Sequence, residues 1–388
     1  IPEFISIPST IHDVIMARVD SLPNSAKEVL QAGSDVEREI GHDLIKKIAG
    51  RPEKELLYNL AVLKDSELLY ERGIYPQSTY IFKHALTREV VYDSVLTQKK
   101  KKIHSEIGYA IENINDERLE EFYETLAFHF VQGEVWDKSF EYHVKAGIKA
   151  RHAYSIQTAM NYFDRAKQIA SQYDLKVSWK IQFDLLFERG RALMDMGQGI
   201  FALAEFKHAE KLAKQNRQSD LVTQVLFSEA AAAWQGHEIN KMKTILDELE
   251  SLVVHNADNL LGVISQQVWC FFGLGDLNSV LSKEREMCEL ITQTQNSEFA
   301  PQAAYNIGLF HRWRGDSDKS IETLESALPV LKTTATPVSY LGATFHYGLA
   351  LGEQGKYQQA IDVLENGHKH GLESGERYTT CLLYTSDA

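Results

Sequence analysis

Apolar positions recur at helical spacing along most of this chain, and the pattern is clearest in its second half. Ile321, Leu324 and Leu328 form one apolar stripe, and the stretch from Ala304-Tyr305-Asn306-Ile307-Gly308 through Gly315 aligns with the one from Thr344 through Gly348, Gly355 and Tyr357 to Ala360, Ile361 and Leu364. Spacings of three and four residues put such positions on one helix face, which must then be buried. Between the helical segments five glycines, Gly197, Gly236, Gly275, Gly315 and Gly355, recur at intervals of 39, 39, 40 and 40 residues. A residue without Cβ ends a helix in the left-handed conformation at no steric cost. Asp276 and Asp316, each directly after a ladder glycine, suit the N-cap of the helix that follows. A fixed period of about 40 residues predicts stacked helix pairs, a solenoid. Residues 136–150 and 156–170 read as earlier, less regular members, for roughly six or seven pairs. Gly190, Gly308 and Gly348 precede their ladder glycines by seven residues, while Ala202, Ser320 and Ala360 follow by five. These small residues are expected to face each other where the paired helices approach closely.

The first third reads differently. Residues 9–22 predict an amphipathic helix with Thr10 as its cap and Ile11, Val14, Ile15, Arg18 and Val19 at helical spacing, and Pro23 opens the next element. Short helical patterns follow over residues 25–31, 41–49 and 52–63. Residues 68–72 and 79–82 then predict two short strands around a turn at 73–78, followed by helices over 84–96 and 98–113. Three helices with a two-stranded wing predict a winged-helix module. The expected fold class is therefore mainly α, a winged-helix module followed by an α-α repeat solenoid. The expected segments are a linker helix over 1–22, the winged helix over 23–114 and the repeats over 115–378. The last stretch, 379–388, resembles translated adapter sequence and is expected to be a non-native tail.

Composition narrows the function classes. A hydrophobic share of 44% with 24% charged residues is ordinary for a soluble globular protein. No apolar run reaches the ~18 residues that would span a membrane. Cys270, Cys288 and Cys381 share no metal or disulfide spacing, which fits a reducing cytoplasm. The net charge of -13 is uneven: residues 1–112 hold 15 Lys and Arg against 17 Asp and Glu, leaving 26 against 37 in the remainder. An acidic repeat region repels nucleic acid and suits protein or peptide partners. Lys99-Lys100-Lys101-Lys102 spread around one helical turn and read as solvated surface rather than a groove-reading face. His368 and His370, two apart on a helix, point to different sides and offer no metal pair. No nucleophile, base and orienting group show a readable spacing, so no catalytic residue is expected. Ile1 is expected to be an interior position of a longer chain.

Two motifs carry a resemblance. Residues 7–22, Ile7-Pro8-Ser9-Thr10-Ile11-His12-Asp13-Val14-Ile15-Met16-Ala17-Arg18-Val19-Asp20-Ser21-Leu22, and residues 80–96, which begin Tyr80-Ile81-Phe82-Lys83-His84-Ala85-Leu86, together resemble signal-transducing (STAND) ATPases of AAA type followed by tetratricopeptide-like repeats. Many members of that family carry an N-terminal class III adenylate or guanylate cyclase domain. The resemblance is close over about residues 7–170 and rests on pattern alone in the later repeats. Where members usually have a small-residue, apolar run ending in glycine, arginine and an aromatic, this chain has Gly33-Ser34-Asp35-Val36-Glu37-Arg38-Glu39-Ile40-Gly41.

The resemblance implies that residues 1–22 end an upstream ATPase region and that ATP or ADP binds there. No G-x-x-x-x-G-K-[ST] phosphate loop occurs in this chain. These residues by themselves are accordingly expected to be non-catalytic. They would form the regulatory and protein-binding region of an ATP-dependent signalling protein, relaying partner binding to the ATPase and, in members that carry one, to a cyclase. Two alternatives stay open: a STAND-type transcription regulator whose DNA-binding domain lies beyond this sequence, and a freestanding repeat adaptor.

Candidate residues follow. His84 leaves the second wing strand and opens a helix, and it resembles the histidine that contacts nucleotide phosphate in resting STAND switches. A helix N-terminus favours anions there. Ala85 stands where the family usually has aspartate, and the plainer role for His84 is local capping. Tyr305, Leu309 and Trp313 share a helix face, and Trp234, Trp269 and Phe345 occupy comparable positions in other repeats. They are expected either to anchor a partner in a groove or to pack between helices.

Overall fold

A computed structural model describes residues 9–36, 39–294, 298–334 and 337–374. The expected tail 379–388, Cys381, and residues 7, 8, 37 and 38 of the motifs lie outside the described residues. Among the described residues the chain forms nineteen α-helices and one three-stranded sheet. They fall into two compact units, one of residues up to 149 with 161–177, the other of 150–160 with residues from 178 onward.

In the N-terminal unit, α1 (Ser9–Asp20) and α2 (Asn24–Ser34) lead to β1 (Glu39–Gly41), α3 (His42–Ala49) and α4 (Glu53–Asp65). After them come β2 (Leu69–Arg72), β3 (Thr79–Phe82), α5 (Ala85–Ser94) and α6 (Thr97–Ile114). A 3-10 segment over Asp116–Phe122 connects to α7 (Tyr123–Gln132), then α8 (Trp136–His152) and α9 (Ile156–Gln172). Pro23 stands at the N-cap of α2, and Thr10 lies within the first turn of α1 rather than ahead of it. The two expected strands pair as a hairpin, Leu69 opposite Phe82 and Arg72 opposite Thr79. The third strand, β1, was not legible: it pairs antiparallel with β3, Ile40 opposite Tyr80, giving the order β1-β3-β2. Three residues with one buried side chain, Ile40, are too few to show an alternating pattern. Val19, Val29, Leu30, Leu56, Leu60, Phe82, Val90, Val91 and Ile107 close one buried core under these elements.

The second unit stacks α10 (Trp179–Asp195), α11 (Gly199–Gln215), α12 (Ser219–Gln235), α13 (Ile239–Val253) and α14 (Ala257–Gly273). It continues with α15 (Leu277–Gln293), α16 (Ala300–Trp313), α17 (Ser317–Thr334), α18 (Pro337–Glu353) and α19 (Tyr357–Ser374). With α8 and α9, six helix pairs are present among the described residues. The turn inside each of the six pairs obeys one rule, shared by the connections at Glu134, Asp174 and Arg217 but not by the one after α13. A residue at positive φ follows the helix at Glu134, Tyr154, Asp174, Gly197, Arg217, His237, Gly275, Gly315 and Gly355. Gly236 therefore does not hold the expected left-handed place: it is the C-cap at φ -81, and His237 at φ 59 takes the turn. The hydrogen bonds fix this register. His237 N–H bonds Trp234 O and Glu238 N–H bonds Ala233 O, as Gly275 bonds Phe272 and Asp276 bonds Phe271. Asp276 caps α15 as expected, its side chain accepting from Ser279 N–H, and Asp316 accepts from Lys319 N–H at 3.3 Å.

Close approach inside the pairs also differs from expectation. A Cβ on Gly190 would lie 2.5 Å from the Phe206 ring, one on Gly308 2.7 Å from Leu324, and one on Gly348 2.6 Å from Leu364. The space is filled by a large residue nine positions past the turn, not by Ala202, Ser320 or Ala360. Helix side chains lean toward the N-terminal turn, so the residue covering a given spot sits further along the chain. Gly147 against Phe163 at 2.5 Å repeats the contact in the pair α8–α9, where Tyr154 stands in place of the turn glycine.

Candidate functional site

The first helices of three successive pairs, α12, α14 and α16, each bring aromatic side chains to their C-terminal ends. Trp234 is next to last in α12, Trp269 and Phe272 are one turn apart in α14, and Phe310 and Trp313 close α16. The rings touch. Trp234 and Trp269 have centroids 5.5 Å apart, Trp269 meets Trp313 edge-on at 6.1 Å, and Phe272 stacks on Trp313 at 4.8 Å. Phe310 completes the group 5.4 Å from Trp313. Offset and edge-on pairs of this kind add about 0.5–1.5 kcal/mol each beyond area burial.

Trp269 is also held by polar contacts. Its Nε1–H donates to Asn306 Oδ1 at 3.1 Å, and Asn306 Nδ2 donates to Ser265 O at 3.2 Å. The outer rim of the array faces solvent: Phe272 is 41% and Trp313 44% exposed, and Leu274 at the end of α14 and Leu277 and Leu281 of α15 are exposed as well. Rings fixed from behind and open in front can anchor an apolar side chain without reorganising.

The structure divides the expected aromatic residues. Trp234, Trp269 and Trp313 come together. Tyr305 and Leu309 are core, clustered with Leu324, Ala327, Leu331 and Ala343, and burial pushes the Tyr305 hydroxyl up. Phe345 is half-buried, packs on the Leu341–Leu364 cluster and has its ring contact with His346 at 5.0 Å. Phe272, Phe310 and Asn306 were missed by sequence reasoning. The signal available was spacing: Phe272 follows Trp269 by three residues and Phe310 precedes Trp313 by three, one helix face in each case.

A charge network on α11, α12 and α13 is buried at Glu229 and Glu210 and exposed at Lys207, Lys214 and Glu248. Glu229 is fully buried, with Lys207 Nζ 2.7 Å from its Oε2 but out of hydrogen-bond alignment. Lys207 also reaches Glu210 at 2.9 Å, and Lys214 joins Glu210 at 2.6 Å to Glu248 at 2.7 Å. Burial pushes the Glu229 carboxyl up to about 7 against the opposing pull of Lys207.

In the N-terminal unit His84 is exposed at the N-cap of α5, with extended backbone and no side-chain cap hydrogen bond. Its carbonyl accepts from Thr87 N–H at 3.0 Å. The four lysines are occupied on the surface: Lys99 donates to Gln31, Lys101 pairs with Glu134, Lys102 faces Glu106, and Lys100 lies over the Tyr92 ring. Among the described residues no group of His, Cys, Asp and Glu converges as metal ligands, and no helix is long and apolar enough to cross a membrane.

No protein-family model matches the chain, and no curated protein matches it in sequence. Solved structures do. A STAND protein with a tetratricopeptide repeat sensor from Pyrococcus horikoshii superposes with TM-score 0.52 at 13% identity, covering 97% of this chain and 55% of its own. This chain thus spans little more than half of that protein. The apo form of RapI gives TM-score 0.50 at 13% identity over 97% of this chain and 96% of its own. NprR in complex with its cognate peptide NprX gives 0.50 at 14% identity over 71% of this chain and 80% of its own. The chain carries a tetratricopeptide-like helical repeat. At these identities the likeness establishes the fold, and function has to be argued from the residues.

Proposed function

We propose that the repeat unit is a regulatory binding region that takes a peptide or protein segment on the exposed aromatic array of α12, α14 and α16. The observation that carries this reading is the Phe272–Trp313 pair, stacked and supported yet open to solvent. Burying such rings only in the core would leave neither of them more than two-fifths exposed. The likeness to NprR, whose structure holds a peptide, supports the peptide class, as does the net negative charge of the repeats. A displayed random-peptide library tests it. Peptides selected on the full chain are expected to lose at least tenfold in affinity on Trp313→Ala and on Phe272→Ala, about 1.4 kcal/mol or more, while both variants, less stable for the lost ring contacts, stay folded at the assay temperature. Selected peptides indifferent to both substitutions would sink the proposal.

For the N-terminal unit we infer a winged-helix role in a STAND-type switch. The three-stranded sheet, the helix order and the exposed His84 at a helix N-terminus support it, together with the Pyrococcus horikoshii likeness. In that reading an ATPase with ATP or ADP, and in some members a cyclase, precedes residue 1, and His84 meets the nucleotide phosphate at rest. In a longer chain that includes the ATPase, His84→Ala is expected to speed ADP release. Unchanged release would remove His84 from the switch.

A further inference from the structure

Within the N-terminal unit, α2, α5, α6 and α7 enclose a polar cluster that neither reading uses. Asp35, at the C-terminal end of α2, is 6% exposed, and neither of its carboxyl oxygens has a hydrogen-bond partner. His104 of α6 and His129 of α7 are each 2% exposed, and their Nδ1 atoms stand 2.9 Å apart. On the far side of the His104 ring, Nε2 lies 3.7 Å from Asp35 Oδ1 and 3.4 Å from the Tyr92 hydroxyl. The Phe128 ring closes the cluster edge-on at 5.8 Å from His104. The charged and titratable groups facing it are Arg88, Tyr92 and Asp93 of α5, Lys99 and Lys100 of α6, and the three members themselves.

Proton placement follows from this geometry. Two imidazole nitrogens at hydrogen-bond distance need one proton between them, since two would oppose N–H to N–H and none would oppose lone pairs. Asp35 decides which ring supplies it. When Asp35 is uncharged, His104 Nε2 accepts from the Tyr92 hydroxyl, and His104 Nδ1–H donates to His129. When Asp35 is ionised, its charge 3.7 Å from His104 Nε2, beyond hydrogen-bond reach, favours a proton on that nitrogen, so Nδ1 becomes the acceptor and His129 Nδ1–H the donor.

We propose that the His104–His129 hydrogen bond is a proton-gated latch of the α6–α7 hairpin, with the buried Asp35 of α2 as its gate. It is unstrained while all three are uncharged, strained when Asp35 ionises without a hydrogen-bond donor to receive its charge, and broken when both imidazoles are protonated. Burial acts in this direction at each member: it pushes Asp35 up to about 7 against Lys100, Arg88 and Lys99, and pushes His104 down to about 4 and His129 down to about 3. A carboxyl raised above its unfolded value of 3.8 stabilises fully below that value and loses the contribution as pH rises through 7. Histidines depressed below 6.5 stabilise fully above 6.5 and lose it as pH falls through 4 and 3. With two histidines against one aspartate, the summed contribution peaks near pH 6.5.

The test is the melting temperature of the full chain and of Asp35→Asn from about pH 5 to about pH 8, with selective 15N labelling of histidine in the wild type. Because the amide does not ionise, Asp35→Asn is expected to gain about 2–3 °C on the wild type between about pH 6 and pH 8. The labelled rings of His104 and His129 are expected to stay neutral down to about pH 5 and to exchange tautomers between about pH 6 and pH 8. A difference between variant and wild type that does not grow with pH overturns the latch. So does either ring titrating near its ordinary value, a readout that stands even where the variant fails to fold.

Discussion

The helix pairs fall into two kinds. In α8–α9, α10–α11, α16–α17 and α18–α19 a glycine on the first helix takes a Phe or Leu from the second, with no room for a Cβ between them. In α12–α13 and α14–α15 the equivalent positions hold Ala230 with Leu246 and Val268 with Glu284, all buried. The contact that locks the outer pairs is missing from the middle ones. In its place the middle pairs carry buried Glu229 and Glu284, each joined to a cation of a neighbouring locked pair, Lys207 of α11 and Arg314 at the end of α16, and they supply Trp234, Trp269 and Phe272 to the aromatic array. The candidate binding face runs from the relaxed first helices α12 and α14 onto α16, whose own pair keeps the packing rule at Gly308 and Leu324.

The comparison can be broken most sharply at Gly190. Gly190→Ala drives a Cβ into the Phe206 ring and is expected to destabilise by about 1–3 kcal/mol in urea melts. Adding Phe206→Leu is expected to recover part of that loss, a coupling a double-mutant cycle would read. If Gly190→Ala costs no more than an exposed substitution, the outer pairs are not locked by this contact. In the middle pairs Glu229→Gln is expected to stabilise by roughly 1–2 kcal/mol at pH 8 and less at pH 5. Its carboxyl, raised to about 7, gives stability below its unfolded value that is lost as pH rises through 7. A stability gain independent of pH would show that burial of the charge is not the cause. The smallest effect concerns the turns: His237→Gly is expected to gain about 0.5–1 kcal/mol by removing a Cβ from the left-handed conformation. A loss on that substitution would mean that the imidazole itself holds the turn.

Legibility in the sequence tracked these two kinds of packing. Glycine spacing revealed the pairs α10–α11, α16–α17 and α18–α19 because glycine holds both the turn and the close approach in them; the close approach has no room for a Cβ, whereas five of the nine left-handed turns hold another residue. The same ladder misplaced its member at Gly236, since a helix can end one residue later on His237 when hydrogen bonds support it. It overlooked α8–α9 as a regular member because Tyr154 fills the turn, although Gly147 and Phe163 keep the packing rule. β1 was invisible because three residues with one buried side chain, Ile40, are too few to show an alternating pattern. Among the aromatic residues, helical spacing placed Tyr305, Leu309 and Trp313 together on α16 but could not say that the first two turn inward while Trp313 stays open.

What the sequence by itself determined is the repeat: its period, its helical character and the positions at which helices must turn, because these depend on local backbone conformation and short-range spacing. Only the tertiary structure decided which large residue fills each glycine, which aromatic rings gather across α12, α14 and α16, and that Asp35, His104 and His129 share one buried site. Those outcomes depend on groups 16 to 94 positions apart in the chain, and their cost or benefit is set by desolvation and by the distance to a partner that no local pattern encodes.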